Sequence, residues 1–184
     1  MSESDFQEKK MDLVNQYFEV FDQFYLYVIF KVAAEPFGIE ARHVQTVTRY
    51  SQPMRLPRTP NYIQGLFNFR GQMIPLLNLG KLCGGSTVLP TEGTVVVVIE
   101  SGGHSFGLMA DEVIDCKNLP QTGIHPIAAP NKHLSGHSFD KAVFQGDGVQ
   151  IRLLDPDKIA ALEPNCDSRE ESDRPLTKEF RITG

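Results

Sequence analysis

Gly65-Leu66-Phe67-Asn68-Phe69-Arg70-Gly71-Gln72-Met73-Ile74-Pro75-Leu76-Leu77-Asn78-Leu79 is the most informative stretch of this 184-residue chain. Leu66 to Phe69 reads as a short strand, Arg70-Gly71 as a turn, and Met73 to Leu79 as the returning strand. Gly71 can take the left-handed backbone that such a turn often requires. Pro75 has no N–H to give a ladder, so its donor side belongs at an edge or a bulge. One cation, Arg70, stands at the tip of an otherwise apolar hairpin. Two roles suit it: an ion pair that holds the turn, or a planar guanidinium presented to a partner surface, where arginine is enriched.

Outward from this hairpin the strand-and-turn pattern continues. Tyr25 to Val32 is rich in aromatic and β-branched residues; Glu35-Pro36 interrupts it, and Phe37-Gly38-Ile39 resumes it. Val44 to Tyr50 alternates. Thr94 to Glu100 holds four consecutive valines and an isoleucine, which suits a strand buried on both faces. Ser101-Gly102-Gly103-His104 then supplies a tight turn and Ser105 to Met109 the partner strand. Lys141 to Gln145, Gly146-Asp147-Gly148 and Val149 to Leu154 make another hairpin. Asp155-Pro156 caps and opens a short helix running to Leu162. Eight or more short strands at this spacing predict an all-β barrel or sandwich over residues 25–162.

Two flanks differ from this pattern. In residues 1–24, Phe6, Leu13, Tyr17 and Phe21 fall at helical spacing with acidic residues near the start, which predicts one amphipathic helix. It serves either its own domain or a partner. Residues 163–184 are charged and poor in apolar side chains, so they cannot offset their ordering entropy and read as a disordered tail.

Composition narrows the function. The net charge is -5 and the Lys and Arg residues form no run, which argues against nucleic acid as a partner. No secretory signal is visible, and no apolar run approaches the roughly 20 residues of a membrane span. Cys83, Cys116 and Cys166 are far apart and odd in number, as reduced thiols of a cytoplasmic protein would be. No nucleophile elbow, phosphate loop or dinucleotide fingerprint occurs. Gly84-Gly85 and Gly102-Gly103 read as turns. His133 and His137 are four apart but sit in loop-like sequence without zinc-protease surroundings, and His43 and His104 are isolated. Asp111 and Glu112 are adjacent and point different ways on a strand, so they do not converge on one bond. The reading is a non-catalytic binding module with no cofactor or metal.

The central stretch resembles the signature of the CheW family, the coupling proteins of bacterial chemotaxis arrays. Gly65, Asn68, Arg70, Gly71 and Pro75 match it position by position. Phe37-Gly38-Ile39, Val44-Gln45 and Val47 upstream, Leu56-Pro57 with Pro60-Asn61-Tyr62-Ile63, and Phe106 to Val113 downstream extend the likeness over residues 25–162. The resemblance implies two intertwined five-stranded SH3-like barrels around a shared core, with the last strands and helix returning to the first barrel. It also implies an adaptor without catalytic activity, bridging a chemoreceptor's cytoplasmic hairpin to the regulatory domain of a chemotaxis-type histidine kinase. A pilus or surface-sensing system, or another peptide- or protein-binding barrel, is the alternative. Val44, Thr46, Gly65, Asn68, Arg70 and Gly71 are the partner-binding residues so implied. Two positions depart from the family pattern. Thr46 stands where a glutamate commonly pairs with the motif arginine, and Asn78 replaces an aspartate; both changes are expected to remove a carboxylate near Arg70.

Overall fold

The computed structural model describes residues 24–83, 88–127, 139–146 and 148–162. The expected N-terminal helix, the charged tail, the Gly84-Gly85 pair and the His133/His137 pair lie outside these residues, except that Phe24 already belongs to a strand. The chain opens with β1 (Phe24–Val32) and β2 (Glu35–Glu40), an antiparallel hairpin in which Val32 faces Glu35. The break between them is Ala33-Ala34, both at positive φ (51° and 71°), so the expected interruption at Glu35-Pro36 is corrected. Pro36 lies inside β2, opposite Lys31. The Asp111 carboxylate steadies the turn by accepting from Ala33 N at 2.8 Å.

A second barrel is then inserted. β3 (Val44–Arg49), β4 (Ile63–Phe69), β5 (Gln72–Asn78), β6 (Val95–Ser101) and β7 (His104–Ala110) pair in the order β3-β6-β7-β5-β4. The chain beyond β3 bends back to β4: Met54 N donates to Leu66 O and Leu66 N to Met54 O, each at 2.8 Å. Five segments thereby close on themselves. Pro75 sits where its missing donor is harmless, because β5 pairs with β7 only from Leu76 onward.

The chain returns to the first barrel through β8 (Glu112–Pro120), β9 (Ile124–Pro126), β10 (Asp140–Gly146) and β11 (Val149–Leu154), giving the order β8-β1-β2-β11-β10-β9. β8 and β9 are one segment bent by a 3-10 turn at Gln121–Gly123, with β8 on β1 and β9 on β10. Six strands thus make five segments, and the expected pair of five-stranded barrels is present. Two short helices complete the described chain, α1 (Leu79–Leu82) and α2 (Pro156–Ala160). Asp155 caps α2 by accepting from Asp157 N and Lys158 N, with Pro156 in the first turn as expected. The last strands return to the first barrel, but α2 seats on the second: Asp157 bonds Ser101 of β6, and Ile159 enters the core there.

Strand alternation explains how one core serves two barrels. Tyr27 and Ile29 of β1 point into the first barrel with Leu119, Phe144, Ile151 and Leu153. Phe30 and Val32 point the other way, joining Phe37, Ile39 and Leu154 against Phe67, Ile74, Leu76 and the valines of β6. Val96, Val97, Val98 and Ile99 are all fully buried, as their unbroken apolar run predicts. An ionic cluster ties together three strands of the first barrel, β2, β10 and β11. Arg152 reaches Asp140 through Nε and Nη2 (3.1 and 2.8 Å) and Glu35 through Nη1 (3.0 Å), while its guanidinium lies 4.8 Å over the Phe37 ring.

Candidate partner-binding site

The β4–β5 hairpin is closed by a two-residue turn between Phe69 and Gln72, with Arg70 at φ 51° and Gly71 at φ 84°. Two successive left-handed residues give the turn whose twist matches the flanking strands. Asn68 completes it by accepting a hydrogen bond from Gly71 N at 2.9 Å on its Oδ1. Arg70 therefore projects from a rigid tip. Its guanidinium carbon lies 5.1 Å from the centroid of the Phe69 ring, a cation–π contact that holds the charge in place. Asn68, Arg70, Gly71 and Met73 are exposed, and no carboxylate pairs with Arg70 among the described residues.

Gly65 acts beneath this tip. At φ 140°, a Cβ there would fall 2.2 Å from the Met54 carbonyl, so only glycine lets the bent chain close the barrel. It is buried and positions the hairpin. Val44 and Thr46 lie on β3, opposite Ile99 and Val98, with side chains on its half-covered face; Gln45, Val47 and Arg49 occupy the exposed one. Val44 also borders a polar pocket of about 370 Å³ with Arg42, His43, Glu100 and Asp157. β3 and β4 are opposite ends of the sheet ladder, and no hydrogen bond links Thr46 to Arg70 among the described residues.

Asn78 requires a correction. It stands at the far end of β5 from the turn, six residues or roughly 20 Å away, and is fully buried. Its Oδ1 accepts from Lys81 N (3.2 Å), capping α1, and from Val88 N (3.3 Å), while its Nδ2 donates to Val88 O at 2.9 Å. The amide pairs both backbone groups of Val88, so this position is no carboxylate site for Arg70. A carboxylate could not make that donation.

The expected residues omit an apolar strip. Met54 is opposite Leu66, Leu66 opposite Pro75, and Asn68 opposite Met73, so these side chains share one face of the closing ribbon. Met54 is 60 % exposed and Met73 41 %. Met73 and Pro75 continue into a groove of about 580 Å³ bordered by Leu77, Phe106, Ile159 and Leu162. Nothing in the local sequence around Met54 announces this, since its neighbours come from barrel closure. Arg70 and the strip can grip a partner carrying a carboxylate beside an apolar surface. Among the described residues no group of three or more His, Cys, Asp or Glu side chains could hold a metal, and no helix is long and apolar enough to cross a membrane.

Fold and hairpin together define a paired-barrel β domain in which one small barrel is inserted into another. The chain belongs to the CheW family: the family description "CheW-like domain" matches residues 26–163. It is similar to a "Chemotaxis protein CheW" of Klebsiella aerogenes, with 33 % identity over 100 residues, 54 % of this chain and 60 % of that protein. A "Chemotaxis protein CheW" of Rhizobium meliloti is 24 % identical over 72 % of this chain and 84 % of its own length. "Protein FrzA" of Myxococcus xanthus is 26 % identical over 71 % and 81 %. The crystal structure of the scaffolding protein TtCheW from Thermoanaerobacter tengcongensis superposes with a TM-score of 0.64 at 25 % identity, covering 71 % of this chain and 88 % of that one.

Proposed function

We propose that this protein is a cytoplasmic adaptor that couples chemoreceptors to a chemotaxis-type histidine kinase and performs no catalysis of its own. Arg70 carries the reading. A cation fixed on a two-residue turn, stacked on Phe69 and with no carboxylate partner among the described residues, is set up to meet an acidic group on another protein. The strip of Met54, Leu66, Met73 and Pro75 beside it supplies the apolar area that such an interface needs. With Thr46 where the family commonly has glutamate, the carboxylate for Arg70 comes from the partner. Family membership and likeness to a scaffolding protein support the same reading.

Titration calorimetry with the regulatory domain of a chemotaxis kinase tests it. Binding is expected for the native chain, weakened about 5- to 100-fold by Arg70→Ala, on the scale of a truncated interface arginine. The urea midpoint should stay within the range of a harmless surface change. Arg70→Asn, which keeps a residue tolerant of the left-handed turn, should lose affinity equally. Absence of binding to any such kinase domain would sink the proposal, as would unchanged affinity with a destabilised fold for the Arg70 role.

A further inference from the structure

We infer that Arg49, Arg55 and Arg58 form a cationic margin to the Arg70 hairpin, which steers in and selects a protein face bearing several carboxylates. This rests on the coupling reading of that hairpin and adds the chemistry its partner must show. Charge is sharply divided along the chain. From Ala41 to Thr91 it holds Arg42, Arg49, Arg55, Arg58, Arg70 and Lys81 and not one Asp or Glu, although the whole carries -5. Ion pairing divides in a similar way. Arg42 and Lys141 meet Glu40, Lys31 meets Glu112, Arg152 meets Glu35 and Asp140, and Lys158 meets Asp155. Arg49, Arg55, Arg58 and Arg70 are exposed and meet no carboxylate among the described residues.

The backbone strings these cations along one stretch of the second barrel. On β3 alternate residues share a side, and Gln45, Val47 and Arg49 are the exposed ones. Tyr50 N then donates to Thr94 O at 3.0 Å, and the chain crosses to β4, where Met54 and Leu66 exchange backbone bonds. Arg55 follows at once, its Cα only 3.3 Å from where a Cβ on Gly65 would lie. Arg58 is held at φ 59°, a left-handed backbone that favours glycine or asparagine. Pro53, Pro57 and Pro60 stiffen this connection, so less freedom is lost when a partner orders it. The side chains between the arginines indicate the partner. Val47, Met54 and Leu56 are exposed there, and every cation from Ala41 to Gly80 is arginine. Arginine and methionine without Lys, Asp or Glu is the make-up of a protein interface. Single-stranded nucleic acid asks for open aromatic faces, whereas Tyr50, Tyr62 and Phe69 pack partly against the core. Charges on such a margin act on the partner's approach, through association rate and its salt dependence.

Two probes test this, the regulatory domain of a chemotaxis kinase and decaglutamate. In stopped flow with the kinase domain, raising salt from about 20 to about 300 mM should slow association of the native chain about tenfold. The triple variant Arg49→Gln, Arg55→Gln, Arg58→Asn should associate about tenfold more slowly at low salt and depend less on salt, with an off-rate within about twofold of native. Asparagine at position 58 tolerates the left-handed backbone. In nuclear magnetic resonance of the native chain, decaglutamate should shift the Nε–H signals of Arg49, Arg55 and Arg58. Those of Arg42 and Arg152, whose Nε atoms already meet Glu40 and Asp140, should stay in place. A kinase domain that fails to bind sinks the coupling reading alone, and the decaglutamate shifts then decide this inference. A native association rate and salt slope in the triple variant would overturn it. So would absent shifts, or equal shifts at Arg42 and Arg152. A DNA duplex held more tightly than the kinase domain would overturn it in favour of a nucleic-acid surface.

Discussion

Tyr27 places its phenol inside the first barrel at 3 % exposure, beside Glu40. Burial, and then the Glu40 charge, push its pKa from 10.0 up to about 12. Arg42 Nε and Lys141 Nζ each lie 2.7 Å from the Glu40 carboxylate. A raised pKa on an acid favours the neutral form in the fold. The stabilisation is fully present below pH 10, and it is lost as pH rises toward 12, because the unfolded phenol ionises first. Cys83 acts in the same direction, since burial lifts its thiol from 9.0 to about 11. Urea midpoints should therefore fall progressively between pH 9 and 12. Tyr27→Phe should flatten the upper part of that fall and Cys83→Ala the lower part; midpoints with the native slope in both variants would refute the assignment. At this scale Gly71 was legible, because turn chemistry belongs to residue type, whereas Asn68 was legible only as a motif position and its bond from Gly71 N came with the structure. The left-handed φ of Arg70 was not legible, since arginine carries no such preference. Gly65 was legible only as a motif position, and its contact with Met54 depends on barrel closure.

Among the elements, the β1–β2 turn shows why some boundaries stay hidden. A two-residue hairpin turn with positive φ normally selects asparagine or glycine, and Ala33-Ala34 offers neither. Sequence reading therefore moved the break to Glu35-Pro36, where a proline is conspicuous. Each alanine in that conformation costs about 1–2 kcal/mol, against a smaller entropic penalty for glycine. Ala34→Gly should accordingly raise stability by about 0.5–1 kcal/mol, read as a higher urea midpoint with unchanged slope; a lower midpoint would show that the turn is not strained. β8 was hidden for another reason. Its Glu112, Asp115 and Lys117 break the apolar rhythm, and its pairing with β1 joins residues some ninety apart in sequence. Val95 to Ile99 was plain because burial on both faces leaves an unbroken run. Asn78 gives the converse test. Asn78→Asp retains the cap on α1 but removes the bond to Val88 O and buries a charge, a loss of about 2–4 kcal/mol. That loss should shrink as pH falls and the new carboxyl takes up a proton. An aspartate tolerated at neutral pH would show that Val88 is held by other means.

For the whole molecule, the insertion of one barrel into another makes its two halves depend on each other. Residues Phe30, Phe37, Ile39 and Leu154 come from the first barrel, yet they pack in the same cluster as Leu76, Val97 and Leu108 of the second. The ion pairs of Arg152 with Asp140 and Glu35, all within the first barrel, hold its guanidinium over Phe37, whose ring belongs to that shared cluster. Neither barrel can open its shared face without exposing apolar area belonging to both, so unfolding should be a single transition. Phe30→Ala removes a fully buried ring at the seam and should cost about 3–5 kcal/mol. Hydrogen exchange in rising urea reads each barrel separately, through amides of β6–β7 for the second and β10–β11 for the first. Both sets should lose protection at one urea concentration in the native chain and at one lower concentration in Phe30→Ala. Separate midpoints would mean that the barrels are independent domains merely threaded through each other. Coincident midpoints would make the seam the property that keeps the Arg70 hairpin, on one barrel, at a fixed bearing to the other barrel. Under the proposed coupling function, that rigidity would set the geometry in which partners are held.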